Sequence, residues 1–314
     1  MKISAEDAIT LLKSGRVIAM PTETVYGLAA SIFFPEAIAN IFQLKGRPSN
    51  NPLIVHLGTA DEITLYAKHL PPKFELLAEK FWPGPLTIVI PVREGTIPAI
   101  ARAGLSTAAF RIPDHALTRE VLIDTGPLVM PSANLSGKPS GTTAEHVEND
   151  FGSGFSVLDG GECERGVEST ILCWDHDAWV VIRLGALAPE DFAPVLGYAP
   201  EVIEATHVHQ EKPLCPGQLY RHYAPKAKLV LTEKISADAV GAIVGFSDRA
   251  YPKGTRLFSL GNSQDANAAA HELYSVLRRL DDENIEHALV DMDFPNHGLW
   301  LTLRERLQKA AQSA

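Results

Sequence analysis

MKISAEDAITLLKSGRVIAMPTETVYGL, residues 1–28, holds the reading from which the rest of the fold is built outward. Ser4 is followed three residues later by Asp7 and then by the apolar positions Ala8, Ile9, Leu11 and Leu12. That is the signature of a capped helix, because the serine oxygen can accept from a first-turn N–H while the acid reaches back to the cap. Val17 to Met20 is a short apolar run and reads as a buried strand. The next segment, PTETVYGL at 21–28, carries Thr22, Glu23, Thr24, Tyr26 and Gly27, which is polar enough after a strand to line a site. A hydrogen-bonded turn or an edge strand accounts for it equally.

Beyond this opening, strands are predicted at Leu53 to Leu57, Leu86 to Val92, Thr107 to Ile112, Leu128 to Met130, Ser169 to Trp174 and Val180 to Leu184. Helical patterns fall around 36–44, 73–81 and 114–123. The fold class is therefore α/β, with a large mixed sheet and helices. Between about 185 and 225 the periodicity breaks down and prolines recur, at Pro189, Pro194, Pro200, Pro213, Pro216 and Pro225, a composition that suggests a linker. A βαβ rhythm then resumes: Leu229 to Leu231, Ala242 to Phe246, Arg256 to Ser259, a helix near 264–280, Ala288 to Met292 and a last helix near 299–311. The expected organisation is a domain over 1–206, a linker over 207–227 and a small α/β domain over 228–314.

A length of 314 residues suits two such domains, since single cores stop growing at roughly 250–300 residues. Lys and Arg number 28 against 38 Asp and Glu, a net charge of −10, so no overall field draws the chain to nucleic acid or anionic lipid, and any polyanion must meet a local patch. The hydrophobic share of 46% and a mean hydropathy near zero (+0.01) are those of a globular chain. Its apolar runs fall far short of the roughly 20 residues that span a bilayer. The acidic start does not resemble a secretory signal, so a cytoplasmic location is expected. Cys163, Cys173 and Cys215 are too widely spaced for a zinc knuckle or a redox pair and read as free thiols. A P-loop is lacking, because Gly137-Lys138 is followed by Pro139, and no G-x-G-x-x-G opens a helix. A nucleotide would have to be held by side chains and irregular loops.

Four further clusters carry polar chemistry. In LKGRPSNNPLIVHL, 44–57, Lys45 and Arg47 flank Gly46, Asn50 and Asn51 follow, and His56 ends an apolar strand; two cations on such a loop suit phosphate, or form a solvated turn at a helix end. STAAFRIPDH places Arg111 on an apolar strand, where a buried guanidinium needs an acidic partner or an anionic ligand. PSANLSGKPSGTTAEHV, 131–147, gathers Ser132, Asn134, Ser136, Ser140, Thr142 and Thr143 before a helix, able to bind phosphate, ribose or carboxylate or merely to cap that helix. DGGECERGVESTILCW sets Glu168, Ser169 and Thr170 at a strand entrance, with Arg183 on the next strand. No Ser-His-Asp arrangement is recognisable.

Taken in order, PTETVYGL, KGRPSNNPLIVH, FWPGPLT, AAFRIPDH, PSANLSG and GVEST resemble the threonylcarbamoyl-adenylate synthase family, the YrdC-type enzymes of tRNA modification. PGQLYRHYAPKA at 216–227 resembles the interdomain linker of its longer, two-domain members. The resemblance implies a YrdC-like large mixed twisted sheet with a smaller Rossmann-like C-terminal domain. It also implies an ATP-dependent nucleotidyltransferase that converts L-threonine, bicarbonate and ATP, with Mg2+, to threonylcarbamoyl-AMP, pyrophosphate and water. The product would pass to a downstream tRNA threonylcarbamoyl transferase, without stable nucleic acid binding or membrane attachment.

Carried over residue by residue, the resemblance implies a threonine pocket of Thr24, His56, Arg111, Ser132 and Ser169. ATP would meet Lys45, Arg47, Asn51, Thr107, Asn134, Thr142, Arg183 and Tyr223. Lys45 and Arg47 would stabilise charge during the reaction, with no covalent nucleophile and no metal held by protein side chains. Gly141 and Leu184 stand where the family usually has proline, so a looser backbone is expected at both. The ending GLWLTLRERLQKAA also departs from the family pattern. The aromatic and cationic residues Tyr220, Arg221, His222 and Tyr223 suggest that 216–225 forms a lid. Two other readings are an RNA-binding module, which the net charge disfavours, and a carbamoyl-adenylate-forming maturation enzyme, for which the dispersed cysteines supply no zinc-finger framework.

Overall fold

The computed structural model describes residues 1–203 and 222–312, and the expectations for 207–221, including Cys215, Tyr220, Arg221 and most of the lid, lie outside them. The chain opens with β1 (Lys2–Ile3) and α1 (Ala5–Lys13). Ser4 caps α1 as its sequence requires: its Oγ accepts from the Asp7 N–H while the Asp7 carboxylate reaches back to the Ser4 backbone. β2 (Ile18–Met20) and β3 (Gly27–Ser31) then pair antiparallel, with the polar PTET segment between them.

The remaining elements of the first half are α2 (Pro35–Lys45), β4 (Ile54–His56), α3 (Ile63–Tyr66), α4 (Phe74–Phe81), β5 (Leu86–Pro91), β6 (Thr107–Arg111) and α5 (Ala116–Thr125). They are followed by β7 (Leu128–Val129), α6 (Ala144–Phe151), β8 (Val157–Leu158), β9 (Thr170–Asp175) and β10 (Ala178–Arg183). The strands form one sheet in the order β1-β8-β2-β3-β7-β4-β6-β5-β9-β10. It is mixed, as expected: β4 and β6 run parallel, as do β5 and β9, while β3 and β7 run antiparallel. A core containing Leu28, Val55, Ile88, Phe110, Leu172 and Trp179 packs on one face, and a second, with Leu12, Ile18 and Val121, packs under α1 and α5.

The stretch after β10 differs from the expectation of an irregular connection beginning near 185. Pro189–Phe192 is a 3-10 turn and Ala193–Leu196 is the short helix α7, and Phe192 and Leu196 are buried in the first core. Proline explains why the sequence hid this: it is tolerated in a first helical turn, where its missing N–H has no partner to lose. Residues 188–196 therefore belong physically to the large sheet.

In the second half, β11 (Lys228–Thr232), β12 (Gly241–Gly245), β13 (Thr255–Ser259) and β14 (His287–Asp291) form a wholly parallel sheet in the order β11-β14-β12-β13, together with α8 (Ala266–Asp282) and α9 (Leu299–Ala311). Its core, built on Val244, Phe246, Phe258, Leu273, Leu277 and Leu303, runs on into Val25, Val167 and Ala186 of the first half, so the two sheets share packed surface. Among the described residues no helix is long and apolar enough to cross a membrane.

Ser4→Ala removes the oxygen that satisfies the Asp7 N–H, and an N-cap of this kind contributes about 1 kcal/mol. A lower midpoint of urea unfolding with an unchanged transition slope is the expected result.

Candidate active site

A cavity of about 590 Å3, counting its open mouth, lies where the C-terminal ends of β4 and β6, the β7–α6 loop and the entrance to β9 meet. Its walls divide by chemistry. Val25, Ile54, Met130 and Pro131 form an apolar patch; Ser132, Asn134, Ser140 and Ser169 supply short polar groups; Arg47, Arg111, Lys138 and Arg183 supply positive charge. Glu168 is the one carboxylate among the described lining residues, and His56, His222 and Tyr223 complete them.

The sheet aims two of the arginines. His56 and Arg111 are register partners on the parallel strands β4 and β6, so their side chains stand side by side on one face. Arg111 is buried, donates through Nε to the Gly84 carbonyl at 3.2 Å, and pairs through Nη2 with Glu23 at 2.7 Å. Glu23, from PTET, is thus the acidic partner that a buried guanidinium demands. Burial first, and the Arg111 charge second, push the His56 pKa well below the usual histidine range, so this ring is neutral at physiological pH. Arg183 is aimed differently: the register of β10 against β9 slips between Val181 and Arg183, a bulge of the kind that redirects a side chain. Its guanidinium donates to the Ser169 carbonyl at 2.8 Å and to Ser169 Oγ at 3.0 Å, and Ser169 Oγ lies 2.7 Å from Thr87 Oγ1.

Of the expected threonine set, His56, Arg111, Ser132 and Ser169 come together in the cavity. Thr24 does not line it; its hydroxyl sits 2.8 Å from Thr22 Oγ1 inside the PTET turn. Of the expected ATP set, Arg47, Asn134, Arg183 and Tyr223 line the cavity. Thr107 stands at the opposite end of β6 from Arg111, four residue steps or about 13 Å along the strand. Asn51 and Thr142 are buried behind the wall. Lys45 departs most from its expected place beside phosphates: it is buried, and its ammonium donates to the carbonyls of Ser132 and Asn134. Burial drives its pKa well down. Lys45 thus ties α2 to the PSAN loop, because a cation at the end of an apolar helix face finds those carbonyls before solvent.

Glu168 and Ser140, which the sequence set in polar clusters but to which the resemblance gave no role, also line the cavity, as does Lys138. Glu168 accepts from Ser140 Oγ at 2.6 Å, Tyr274 Oη at 2.8 Å and Arg306 Nε at 3.1 Å. Burial would raise its pKa, but the charges of Arg306 and Arg183 with the two hydroxyl bonds outweigh this and hold it at about 2. An acid between Val167 and Ser169 in an apolar context is the available signal; Ser140 lies 28 residues away, but Tyr274 and Arg306 lie 106 and 138 residues away. At the two positions where glycine and leucine replace the family's proline, the backbone carbonyls are hydrogen-bonded. The Gly141 carbonyl accepts from the Tyr26 N–H at 2.8 Å, and the Leu184 carbonyl accepts from Arg306 Nη2 at 2.8 Å.

Such a cavity, with arginine on several sides, suits anionic groups. The Sua5/YciO/YrdC model, described as telomere recombination, matches residues 10–185, and the C-terminal domain model of threonylcarbamoyl-AMP synthase matches 188–312. The threonylcarbamoyl-AMP synthase of Bacillus subtilis is 36% identical over 97% of this chain and 92% of its own, and that of Pyrococcus abyssi is 36% identical over 97% and 93%. The crystal structure of P. abyssi Sua5 complexed with L-threonine superposes with a TM-score of 0.87 at 32% identity, covering 99% of this chain and 96% of that one.

Acid sensitivity follows from the same walls. Burial, reinforced by the Arg278 charge, lowers the His146 pKa to about 4, while its Nδ1 accepts from the Thr142 N–H at 3.2 Å. His222 is held down at about 3, again chiefly by burial. Both rings are neutral in the fold and protonate near pH 6.5 when unfolded, so their stabilisation is complete above about pH 6.5 and is lost as the pH falls toward 4 and 3. His146→Gln is expected to remove about 2 kcal/mol of the stability change between pH 7 and pH 4, measured by urea unfolding at each pH.

Proposed function

The chain belongs to the threonylcarbamoyl-AMP synthase family and is an enzyme of threonine-dependent threonylcarbamoyl-AMP synthesis, and from that premise we propose how its cavity performs the reaction. ATP and bicarbonate are the co-substrates, the reaction is a nucleotidyl transfer in the cytoplasm, and the product passes to a separate tRNA-modifying transferase. The observation that carries this reading is the cavity's charge: Arg47, Arg111, Lys138 and Arg183 face a space whose one lining carboxylate among the described residues is already bound from behind.

Threonine sits at the His56–Arg111 end. Glu23 occupies Nη2 of Arg111, and the remaining edge of the guanidinium receives the amino acid carboxylate. Val25, Ile54 and Met130 receive the methyl group, while Ser132 and Ser169 offer hydroxyls to the polar remainder. ATP occupies the end lined by Arg47, Asn134, Arg183 and Tyr223. The amine attacks the bicarbonate carbon, or carbon dioxide derived from it, and one water is lost overall as the carbamate forms. A carbamate oxygen then attacks the α-phosphorus; that P–O bond forms as the bond to the β-phosphate oxygen breaks, and pyrophosphate leaves. The protein's contribution is positioning and stabilisation of charge by arginine.

Magnesium would shield the phosphate charge. No group of three or more His, Cys, Asp or Glu side chains among the described residues is placed to hold a metal, and Glu168 is committed to Arg306, Tyr274 and Ser140. The ion is therefore proposed to arrive on ATP itself, not in a resident site.

Release of pyrophosphate should require both L-threonine and bicarbonate; equal turnover without threonine would contradict the reading. L-Serine should be used about 10-fold or more less efficiently, since a missing methyl in a fitted pocket is worth roughly 1–3 kcal/mol. Arg111→Lys keeps a cation beside Glu23 but loses the planar fork. It should raise the KM for threonine about tenfold or more with little change for ATP, whereas Arg47→Ala should act chiefly on the KM for ATP.

A further inference from the structure

The wall of the cavity that carries Ser140, Glu168 and Tyr223 is not self-supporting. Behind it lie α8 and α9 of the second sheet. From α8, the Arg278 guanidinium donates to the Pro139 carbonyl at 2.7 Å and pairs with Asp150 at 2.8 Å, while Tyr274 Oη donates to Glu168. From α9, Arg306 donates to Glu168 and to the Leu184 carbonyl, and Thr302 Oγ1 donates to the Gly185 carbonyl at 2.8 Å. Gly185 in turn presses so closely on residues 168–170 that a Cβ there would lie 2.3 Å from the Ser169 carbonyl carbon.

Tyr223 is held by the same two side chains. Its backbone has φ +64°, a left-handed conformation that a non-glycine residue adopts at a cost, so something must favour it. Its ring is stacked on Tyr274, with centroids 5.4 Å apart and planes 22° apart, and the Arg306 guanidinium lies 4.8 Å from its centroid. Arg306 and Tyr274 are both 0% exposed and do not themselves line the cavity.

We propose that Arg306 and Tyr274, from the C-terminal domain, are positioning residues for the nucleotide end of the active site, holding the Glu168 carboxylate and the Tyr223 ring in place. This rests on the reading that ATP occupies that end. The chemistry explains why a carboxylate can stand there at all. Unpaired, Glu168 would repel a triphosphate. Bound from behind by a guanidinium, it becomes a neutralised acceptor that orders Ser140 and keeps its electrostatic hold on Arg183. The second domain is on this account part of the active-site wall, acting through residues that touch no substrate.

The test compares full-length wild type with Arg306→Lys, Tyr274→Phe and Tyr251→Phe, measuring kcat, the KM for ATP, the KM for threonine and Tm. Arg306→Lys keeps the charge but not the planar donor set, and should raise the KM for ATP about tenfold with the threonine KM within about twofold. Tyr274→Phe keeps the stack and loses only the bond to Glu168, giving a smaller rise of about threefold. Tyr251→Phe removes a bond to Asp291 at 2.7 Å that lies within the second sheet's own domain and reaches neither Glu168 nor Tyr223; it should lower Tm and leave both KM values unchanged. Unmoved ATP KM values in Arg306→Lys and Tyr274→Phe, or equal rises for both substrates, would overturn the proposal while leaving the reaction intact. Should Arg306→Lys fail to fold, Tyr274→Phe alone decides. Absence of ATP-dependent turnover in wild type would overturn the site reading, and this proposal with it.

Discussion

A carboxylate buried at the seam of two sheets is the constraint to which the rest of the molecule answers. Glu168 is 7% exposed, and an ionised group so placed is tolerated only when its charge is matched and its lone pairs are filled. Arg306, Tyr274 and Ser140 do this, and they come from α9, α8 and the loop before α6. One residue therefore ties α8, α9 and the loop before α6 to the entrance of β9. Removing a partner would leave a buried charge unmatched, so the seam holds as a unit.

The same logic accounts for a chain of net charge −10 building a cationic cavity. Each arginine in the wall is tethered by part of its guanidinium: Arg111 to Glu23 and the Gly84 carbonyl, Arg183 to Ser169. The tether sets direction, which a freely rotating surface lysine would do less well. Lys138 is likewise paired, with Asp150 at 3.0 Å, and Asp150 also holds Arg278. Glu23 and Asp150 thus work locally as anchors for cations of the wall.

Much of this was legible in the sequence because it is local. The α1 cap, the apolar runs that became β4, β5, β6 and β9, and the rhythm from 228 onward depend on residues within a few positions of one another. Site residues on strands were equally legible: His56 and Arg111 end apolar runs, where a polar group must face something. What escaped depends on distant partners. Lys45 reads as a phosphate ligand until the Ser132 and Asn134 carbonyls are seen to enclose it, Thr107 shares a strand with Arg111 but not an end, and nothing near Arg306 announces that Glu168, 138 residues earlier, is its counterion.

The central claim is that this cavity joins threonine to a one-carbon unit before adenylation, and the identity of the adenylate tests it most directly. With 13C-labelled bicarbonate, L-threonine and ATP, mass spectrometry should find an adenylate whose mass includes threonine and a carbonyl group and which gains one mass unit from the label. An adenylate of threonine alone, carrying no label, would contradict the account.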